Sequence, residues 1–307
     1  MSESTGRLLP SGADVKFSEI ETGLARQWLD EGTCAPLALT ATIVVVGPLD
    51  RLVEAAEALE GLTDIGIRAI LISYGTNPVP PVRVTEHAVA LEGLRHEYLN
   101  NAVAALRLSS LPTLVWWRGG AAAESLDGLA DLADRLVMDA EDPREVWRRV
   151  GTLAERIAVS DLRWTRLTRW RALMAHFFDI PEVRAAAPAF HRLQIEGSDI
   201  HCARLFAGWL ASSLQWTRPL DIDVRAKPGG AAIERVELGG DDEALTLSLA
   251  SSRTCVEAAV RLRGHGGASR IVWLGEQGLA ALVGEELRIR SRDLAFERAV
   301  AAAEGVA

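Results

Sequence analysis

The stretch that decides the fold is residues 38–60, ALTATIVVVGPLDRLVEAAEALE. Its first nine residues are largely apolar and rich in β-branched side chains, which predicts a buried strand. Gly47-Pro48 ends that strand, and residues 49–60 then show the apolar spacing of a helix that stops at Gly61. A buried strand followed at once by an amphipathic helix is typical of a parallel sheet covered by helices.

The same alternation continues on the carboxyl-terminal side of this unit. Further strands are predicted at 67–74, 84–91, 111–117 and 135–138, and helices at 93–108, near 124–133 and at 143–158. We therefore expect a doubly wound, Rossmann-like α/β domain over residues 18–158. Residues 1–17 are polar and rich in Gly and Ser, which predicts a flexible tail before it.

The second half of the chain has a different pattern. Helices are predicted at 160–178, at 198–215 and, with Ser291 as N-cap, at 291–303. Short β-like runs punctuated by glycines fill residues 219–290. Strands that are segregated from helices predict an α+β domain over 159–307 with a largely antiparallel sheet.

Composition excludes several classes of function. The net charge of −9 argues against nucleic acid as a partner, because phosphate neutralisation needs a basic surface. The three cysteines are widely spaced, and no apolar run reaches membrane-spanning length. The N-terminus has no signal-peptide pattern, so we expect a cytoplasmic protein without a membrane partner. The six histidines lack metal-ligand spacing and no nucleophile motif is present, so we expect neither a metal site nor an enzyme.

Two turns of the predicted parallel sheet lie where a ligand could bind. The turn after the first strand, Gly47-Pro48-Leu49-Asp50, lacks the dinucleotide fingerprint, and Pro48 has no N–H for a phosphate, so no cofactor is expected there. Arg118-Gly119-Gly120 follows a strand that ends in two tryptophans and is a candidate anion-binding site. The alternative for this second turn is a plain connection between strand and helix.

The Trp/Arg segment, residues 160–179, reads SDLRWTRLTRWRALMAHFFD and is unusually rich in Trp and Arg. Such a mixture is typical of protein-recognition surfaces, where these residues dominate the binding energy. The candidate partner-binding residues are Trp164, Arg166, Trp170 and Arg171, together with Arg163. The alternative is an internal helix whose arginines pair with local carboxylates.

Four segments between residues 110 and 216 together resemble the OpcA family of glucose-6-phosphate dehydrogenase assembly proteins. Residues 161–179, DLRWTRLTRWRALMAHFFD, are similar to that family's D-L-N-W-T-R-L-T-P-W-R-E-L motif, with Arg169 in place of Pro and Arg163 in place of Asn. The other segments are LPTLVWWRGG at 111–120, ADRLVMDAEDP at 133–143 and LFAGWLASSLQW at 205–216.

The resemblance implies a non-catalytic accessory protein. Family members bind glucose-6-phosphate dehydrogenase, promote its active oligomer and act as allosteric activators at the entry of the oxidative pentose phosphate pathway. The alternative from another class is a sugar-phosphate-binding enzyme or sensor that uses the Gly119-Gly120 turn. Redox control is not carried over, because this chain has no spaced cysteine pair.

Overall fold

The structure is a computed structural model that divides into two units. Unit 1 comprises Met1–Leu162 and Leu279–Arg292, and unit 2 comprises Arg163–Gly278 and Asp293–Ala307. The residues that the structure describes are 8–30, 38–62, 65–85, 87–119, 125–214, 220–263, 267–275, 278–289 and 291–306. Strands and helices are numbered along the whole chain.

Unit 1 contains one eight-stranded sheet. Its strands are β1 (Ala13–Val15), β2 (Ala41–Gly47), β3 (Ile67–Asn77), β4 (Val82–Val84), β5 (Ala88–Leu94), β6 (Thr113–Trp117), β7 (Arg135–Met138) and β8 (Ala158–Asp161). They lie in the order β1-β4-β5-β3-β2-β6-β7-β8. From β5 to β8 all neighbours are parallel, whereas β4 and β1 form an antiparallel edge. The predicted Rossmann-like parallel sheet is confirmed.

The helices of unit 1 connect these strands, except for α11, which comes from a later part of the chain. They are α1 (Ile20–Asp30), α2 (Leu49–Glu60), α3 (Leu99–Leu106), α4 (Ser125–Ala130), α5 (Arg144–Trp147), α6 (Val150–Leu153) and α11 (Leu279–Arg288). The helix predicted at 93–108 is shorter than expected, because residues 93–94 belong to β5 and α3 begins at Leu99. The helix predicted at 143–158 is instead two short helices, α5 and α6, and its last residue, Ala158, begins β8. An apolar run at the end of a helix has the same composition as a short buried strand, so periodicity alone does not separate them.

Helix α11 returns from the far end of the chain to unit 1. Its Glu286 is buried and accepts hydrogen bonds from Arg135 Nε at 2.9 Å and from Ser160 Oγ at 2.9 Å. This carboxylate therefore ties α11 to β7 and β8. The helix was not expected, because the sequence analysis placed short β-like runs over residues 219–290. The burial of Glu286 was not expected either, since a glutamate in a short helix normally faces solvent and its partner Arg135 lies about 150 residues away.

The prediction of a flexible tail over 1–17 is wrong for residues 8–17. Leu8 and Leu9 are buried in the core of unit 1, and β1 pairs with β4. Two leucines inside a polar stretch show no helical or strand periodicity, so the sequence did not predict that this segment packs against the core. Residues 1–7 lie outside the described residues.

Unit 2 is built on a six-stranded sheet. Its strands are β9 (Arg192–Gly197), β10 (Asp221–Ala226), β11 (Arg235–Gly239), β12 (Ala244–Leu249), β13 (Cys255–Arg261) and β14 (Ala268–Trp273). The order is β10-β9-β11-β12-β13-β14, and every pair except the parallel β10–β9 is antiparallel. The largely antiparallel sheet is confirmed. Its helices are α7 (Leu162–Arg166), α8 (Thr168–Phe177), α9 (Pro181–Ala186), α10 (Ile200–Ser213) and α12 (Leu294–Ala303).

Helices α10 and α12 of unit 2 approach each other closely at Gly208. A β-carbon at this position would meet the carbonyl oxygen of Ala299 and lie 2.8 Å from the amide nitrogen of Ala303. Only a residue without a side chain allows this approach of the two backbones.

Helix α12 begins at Leu294 with Asp293 as its N-cap, so the prediction that Ser291 caps it is wrong.

Replacing Gly208 by alanine will test the helix contact. We expect Gly208→Ala to lower the free energy of unfolding by about 2 kcal/mol, since the added methyl group forces the two helices apart. The matched control is Gly151→Ala in α6, where a β-carbon meets nothing within 4 Å. Denaturant unfolding followed by circular dichroism measures both. Equal stability of Gly208→Ala and the wild type would contradict the close approach.

Candidate functional site

The Trp/Arg segment forms the end of β8 and the consecutive helices α7 and α8. Leu167 separates the two helices but keeps a helical backbone, with φ −78° and ψ −7°. Thr168, a residue type that often caps helices, is the first residue of α8, and Leu167 takes the N-cap position. The segment is therefore nearly continuous, and its side chains are distributed around it rather than along one face.

Arg163 in α7 is held by Asp199, which precedes α10. Its Nε donates to Asp199 Oδ2 at 2.9 Å. The other oxygen of the same carboxylate, Oδ1, accepts from the backbone N–H groups of His201 at 2.9 Å and Cys202 at 3.1 Å. Asp199 thus caps α10 and anchors α7 at the same time.

Trp164, the next residue of α7, is held in the same way by Asp293 at the start of α12. The indole Nε1 donates to Asp293 Oδ2 at 2.7 Å, while Oδ1 caps the helix at Ala295 and Phe296, each at 3.0 Å. The Phe296 ring packs against the indole with centroids 5.7 Å apart. The guanidinium of Arg171 stacks on the indole, 3.4 Å from its centroid.

These contacts decide between the two interpretations of the Trp/Arg segment. Trp164 and Trp170 are each only 3% exposed, and Arg163 is also buried. A recognition surface built directly from these three side chains is therefore wrong, because they are packed inside unit 2. The structure shows the alternative, a helical segment whose polar groups pair internally. Arg171 is half-buried against Trp164, and Arg166 is the remaining half-buried member of the predicted set.

Arg166 lines a cavity of about 270 Å³ in unit 2, called here the two-arginine cavity. Arg253, in the turn between β12 and β13, is the second arginine. The other described lining residues are Leu167, Trp170, Cys202, Ala231, Ala232, Ile233, Leu249 and Leu274. The sequence pointed to Arg166 and Trp170 but not to Arg253, since an arginine in a hairpin turn gives no functional signal.

Asp199 carries a charge that the fold stabilises. Burial by itself raises its pKa, but the Arg163 guanidinium and hydrogen bonds from Cys202 and His201 outweigh burial and hold the pKa below its ordinary value of 3.8. The ionised carboxylate is therefore the form that both caps α10 and binds α7.

The second candidate site lies in unit 1, where the connections reverse direction across the sheet. A pocket of about 350 Å³, called here the switch-point pocket, is lined by residues that follow β2, β6 and β7. This is the position where doubly wound sheets bind ligands. The described residues lining it are Pro48, Asp50, Arg51, Trp117, Arg118, Gly119, Ala140, Glu141, Asp142, Glu145 and Val146.

Arg118 is not available to an anion in this pocket. Its Nε donates to Asp139 Oδ2 at 2.9 Å, Nη2 to Glu54 Oε2 at 2.6 Å and Nη1 to the carbonyl oxygen of Arg51 at 2.5 Å. The side chain is 1% exposed. The prediction that Arg118 binds an anion is therefore contradicted by its pairing with carboxylates. Gly119 has φ +88°, as a tight turn requires, and Gly120 lies outside the described residues.

The residues of the switch-point pocket do not fit a dinucleotide. Pro48 has no N–H to offer a pyrophosphate, and Arg118 is already occupied. Four of the described lining residues, Asp50, Glu141, Asp142 and Glu145, are acidic and would repel phosphate. The fold keeps the position of a nucleotide site but not its chemistry.

Two other features of the described chain concern function. The paired tryptophans, Trp116 and Trp117, are buried in unit 1. Within the described residues, no three His, Cys, Asp or Glu side chains come together as metal ligands, and no helix has the length and apolarity to cross a bilayer.

A pH series on Asp199→Asn will test the anchoring of α7. Asparagine keeps a capping oxygen but cannot pair with Arg163, so we expect the free energy of unfolding at pH 7 to fall by about 2–3 kcal/mol. Because folding lowers the pKa of Asp199, its contribution is complete above its unfolded pKa and is lost as pH falls through the folded value. The difference from the wild type should therefore narrow below about pH 4.

The control for this series is Asp179→Asn, a change at an exposed residue. It should leave stability nearly unchanged across the same pH range. A difference between Asp199→Asn and the wild type that stays constant down to pH 3 would show that the Arg163 pair does not act through the ionised carboxylate.

Arg118→Met will test the switch-point pocket. We expect it to lower the free energy of unfolding by about 2–3 kcal/mol, because the mostly buried Asp139 loses one of its cationic partners. Arg144→Met, which breaks the exposed pair with Asp142, should cost less than about 1 kcal/mol. Phosphate-dependent stabilisation of the wild type that disappears in Arg118→Met would instead show an anion site.

Comparison with known proteins places the carboxyl-terminal half of the chain. Residues 157–300 match a family model described as the C-terminal domain of a glucose-6-phosphate dehydrogenase subunit. Two curated proteins named as putative OxPP cycle protein OpcA are similar over 249 residues, with 26% identity for that of Synechocystis sp. and 28% for that of Nostoc punctiforme. The matches cover 67% and 66% of this chain and 52% and 53% of those proteins. The chain thus spans about half the length of the curated relatives it matches.

Solved structures with a similar fold are more distant. An oxidoreductase from Sinorhizobium meliloti has a TM-score of 0.48 and 10% identity over 86% of each chain. Levoglucosan dehydrogenase in complex with NADH and L-sorbose has a TM-score of 0.48 and 12% identity, covering 87% of this chain and 91% of the other. At this distance neither likeness says what this chain does. The match to the family model and the similarity to the two OpcA proteins, in contrast, confirm the resemblance to the OpcA family that the sequence showed.

Proposed function

We propose that this protein is a non-catalytic accessory protein of the oxidative pentose phosphate pathway. It binds glucose-6-phosphate dehydrogenase in the cytoplasm, promotes the active oligomer of the enzyme and raises its activity. The observation that carries the proposal is the match of residues 157–300 to a domain described as part of that dehydrogenase.

The chemistry of the switch-point pocket supports a role without catalysis. A hydride-transfer enzyme of this fold needs a dinucleotide at that position. Here Arg118 is paired with Asp139 and Glu54, and the described lining is rich in carboxylates. The same observations disfavour the alternative of a sugar-phosphate-binding enzyme or sensor at the Gly119-Gly120 turn.

A contact surface for the dehydrogenase is available on β14. Ile271 and Trp273 lie two residues apart, so they point to the same face of this edge strand, and they are 72% and 62% exposed. Adjacent exposed hydrophobic residues are typical of interaction sites, and tryptophan is enriched among residues that dominate binding energy. The pair was not singled out from the sequence, although the alternation in ASRIVW places both residues on one face.

The predicted binding residues take two different roles in this proposal. Arg163, Trp164, Trp170 and Arg171 build the framework of unit 2. Arg166 remains a candidate contact because its guanidinium has no hydrogen bond or ion pair with another described residue. The proposal therefore has two surface elements, β14 and Arg166, which can be altered separately.

Steady-state kinetics of glucose-6-phosphate dehydrogenase from the same organism will test the proposal. Adding this protein in excess should give a saturable rise in kcat/KM. Trp273→Ser should raise the half-saturating concentration about tenfold or more, since truncating a central interface residue typically costs about 2 kcal/mol. Val79→Ser, which removes an even more exposed apolar side chain from unit 1, is the control and should leave the half-saturating concentration unchanged.

The outcomes separate the parts of the proposal. No change in kcat/KM, together with no co-elution at micromolar concentrations, would overturn it. Full activation by Trp273→Ser with loss of activation in Arg166→Met would move the contact from β14 to Arg166. Circular dichroism of each variant shows whether the fold is intact.

A further inference from the structure

We propose that the two-arginine cavity of unit 2 binds a small organic anion, with a carboxylate or phosphate head and a compact apolar body. Its described lining shares Arg166 with the candidate contacts for the enzyme and includes no residue of β14. It does not depend on the proposed function, since it is argued from the cavity alone.

The charge of the cavity supports an anionic ligand. Arg166 and Arg253 are the charged members of its described lining, and no carboxylate is among them. The nearby Glu234 is already engaged, because it accepts hydrogen bonds from Lys227 Nζ and the Ala231 amide. Its pKa is lowered chiefly by the hydrogen bond from Lys227, with a smaller contribution from Arg253. Two guanidinium groups at one cavity favour a carboxylate or phosphate, which can accept paired hydrogen bonds.

The rest of the lining favours an apolar body. Trp170, Ile233 and Leu274 are buried side chains that form carbon-rich walls. The described lining offers no hydroxyl, amide or carboxylate side chain to the hydroxyl groups of a sugar. A polyol would therefore lose hydrogen bonds to water without replacement, whereas a hydrocarbon or aromatic group would gain from burial.

The volume limits the size of the ligand. About 270 Å³ lies just below the range of roughly 300–1,000 Å³ that is usual for ligand pockets. The cavity suits an acid of the size of a small metabolite and not a dinucleotide.

The backbone at Arg253 is a second observation that singles out this residue. Its φ of +58° lies in the left-handed region, where glycine is favoured and other residues are strained. An arginine at such a position is explained if its side chain is used. Its guanidinium makes one long contact within the described residues, 3.5 Å to the carbonyl oxygen of Gly229, and so can turn to a ligand.

Isothermal titration calorimetry of the full chain with matched probes tests the proposal. Benzoate and phenyl phosphate carry an anionic head on an aromatic body, benzamide is the neutral counterpart of benzoate, and glucose 6-phosphate has a polyol body. We expect saturable binding of benzoate or phenyl phosphate, and the tighter of the two identifies the head group. Benzamide and glucose 6-phosphate should bind at least about tenfold more weakly.

Variants place the site on the two arginines. Arg166→Met keeps most of the side-chain volume and Arg253→Gly suits the left-handed backbone, so both should fold. Each should weaken the binding of the preferred anion about tenfold or more. Arg169→Met, on the exposed side of α8 and outside the cavity lining, is the matched control and should bind as the wild type does.

Three results would overturn the proposal. They are no saturable binding of either anion to the wild type up to about 10 mM, equal affinities for benzoate and benzamide, or equal losses in Arg166→Met and Arg169→Met. If Arg166 served only as a partner contact, Arg166→Met would impair enzyme activation and leave anion binding unchanged. Failure of this inference is therefore distinguishable from failure of the proposed function.

Discussion

Two aspartates, each of which caps a helix with one oxygen and anchors helix α7 with the other, are the constraint on which unit 2 depends. The first residues of a helix leave backbone N–H groups without partners, while an arginine or an indole brought to the same place needs an acceptor. Asp199 and Asp293 meet both needs at once, with Arg163 and Trp164 as their partners. Neighbouring residues of α7 thereby fix the starting points of α10 and α12, the two helices that approach each other at Gly208.

The pairing of Asp199 and Asp293 with α7 explains why the strands and helices of unit 2 were easier to predict from the sequence than the role of the Trp/Arg segment. Apolar periodicity is local, so most of the antiparallel strands and α10 could be read from the sequence. The burial of Arg163 and Trp164 depends on carboxylates 36 and 129 residues away, which no local pattern reveals. The composition of the Trp/Arg segment is unusual, but Trp and Arg side chains are suited both to a recognition surface and to an internal framework, so composition does not decide between them. Only the positions of their acceptors decide between the two.

Unit 1 shows a related separation between fold and ligand chemistry. Its sheet is specified by buried apolar strands such as β2, and the turns at the carboxyl ends of the strands contribute little to that core. The fold therefore does not require the nucleotide fingerprint in the turn after β2, and its absence there could be read directly from the sequence. The guanidinium of Arg118, bound to Asp139 and Glu54, holds the loops together by internal ion pairs where related folds use a ligand. These ion pairs could not be predicted from the sequence, because Glu54 lies in α2 and Asp139 follows β7, so neither carboxylate is near Arg118 in the chain.

Helix α7 also links the framework of unit 2 to its cavity. Arg166 stands at the end of α7, three residues after Arg163 and two after Trp164, whose partners begin α10 and α12. An anion bound to Arg166 would neutralise a half-buried charge on the element that these two aspartates anchor. Ligand binding to the folded state alone adds a free energy of RT ln(1 + [L]/Kd), about 2.7 kcal/mol at a hundredfold excess over Kd. This gain is comparable to the loss of about 2–3 kcal/mol expected when Asp199 can no longer pair with Arg163. A ligand in the cavity would therefore stabilise the folded unit 2 by about as much as one of the two aspartate contacts does.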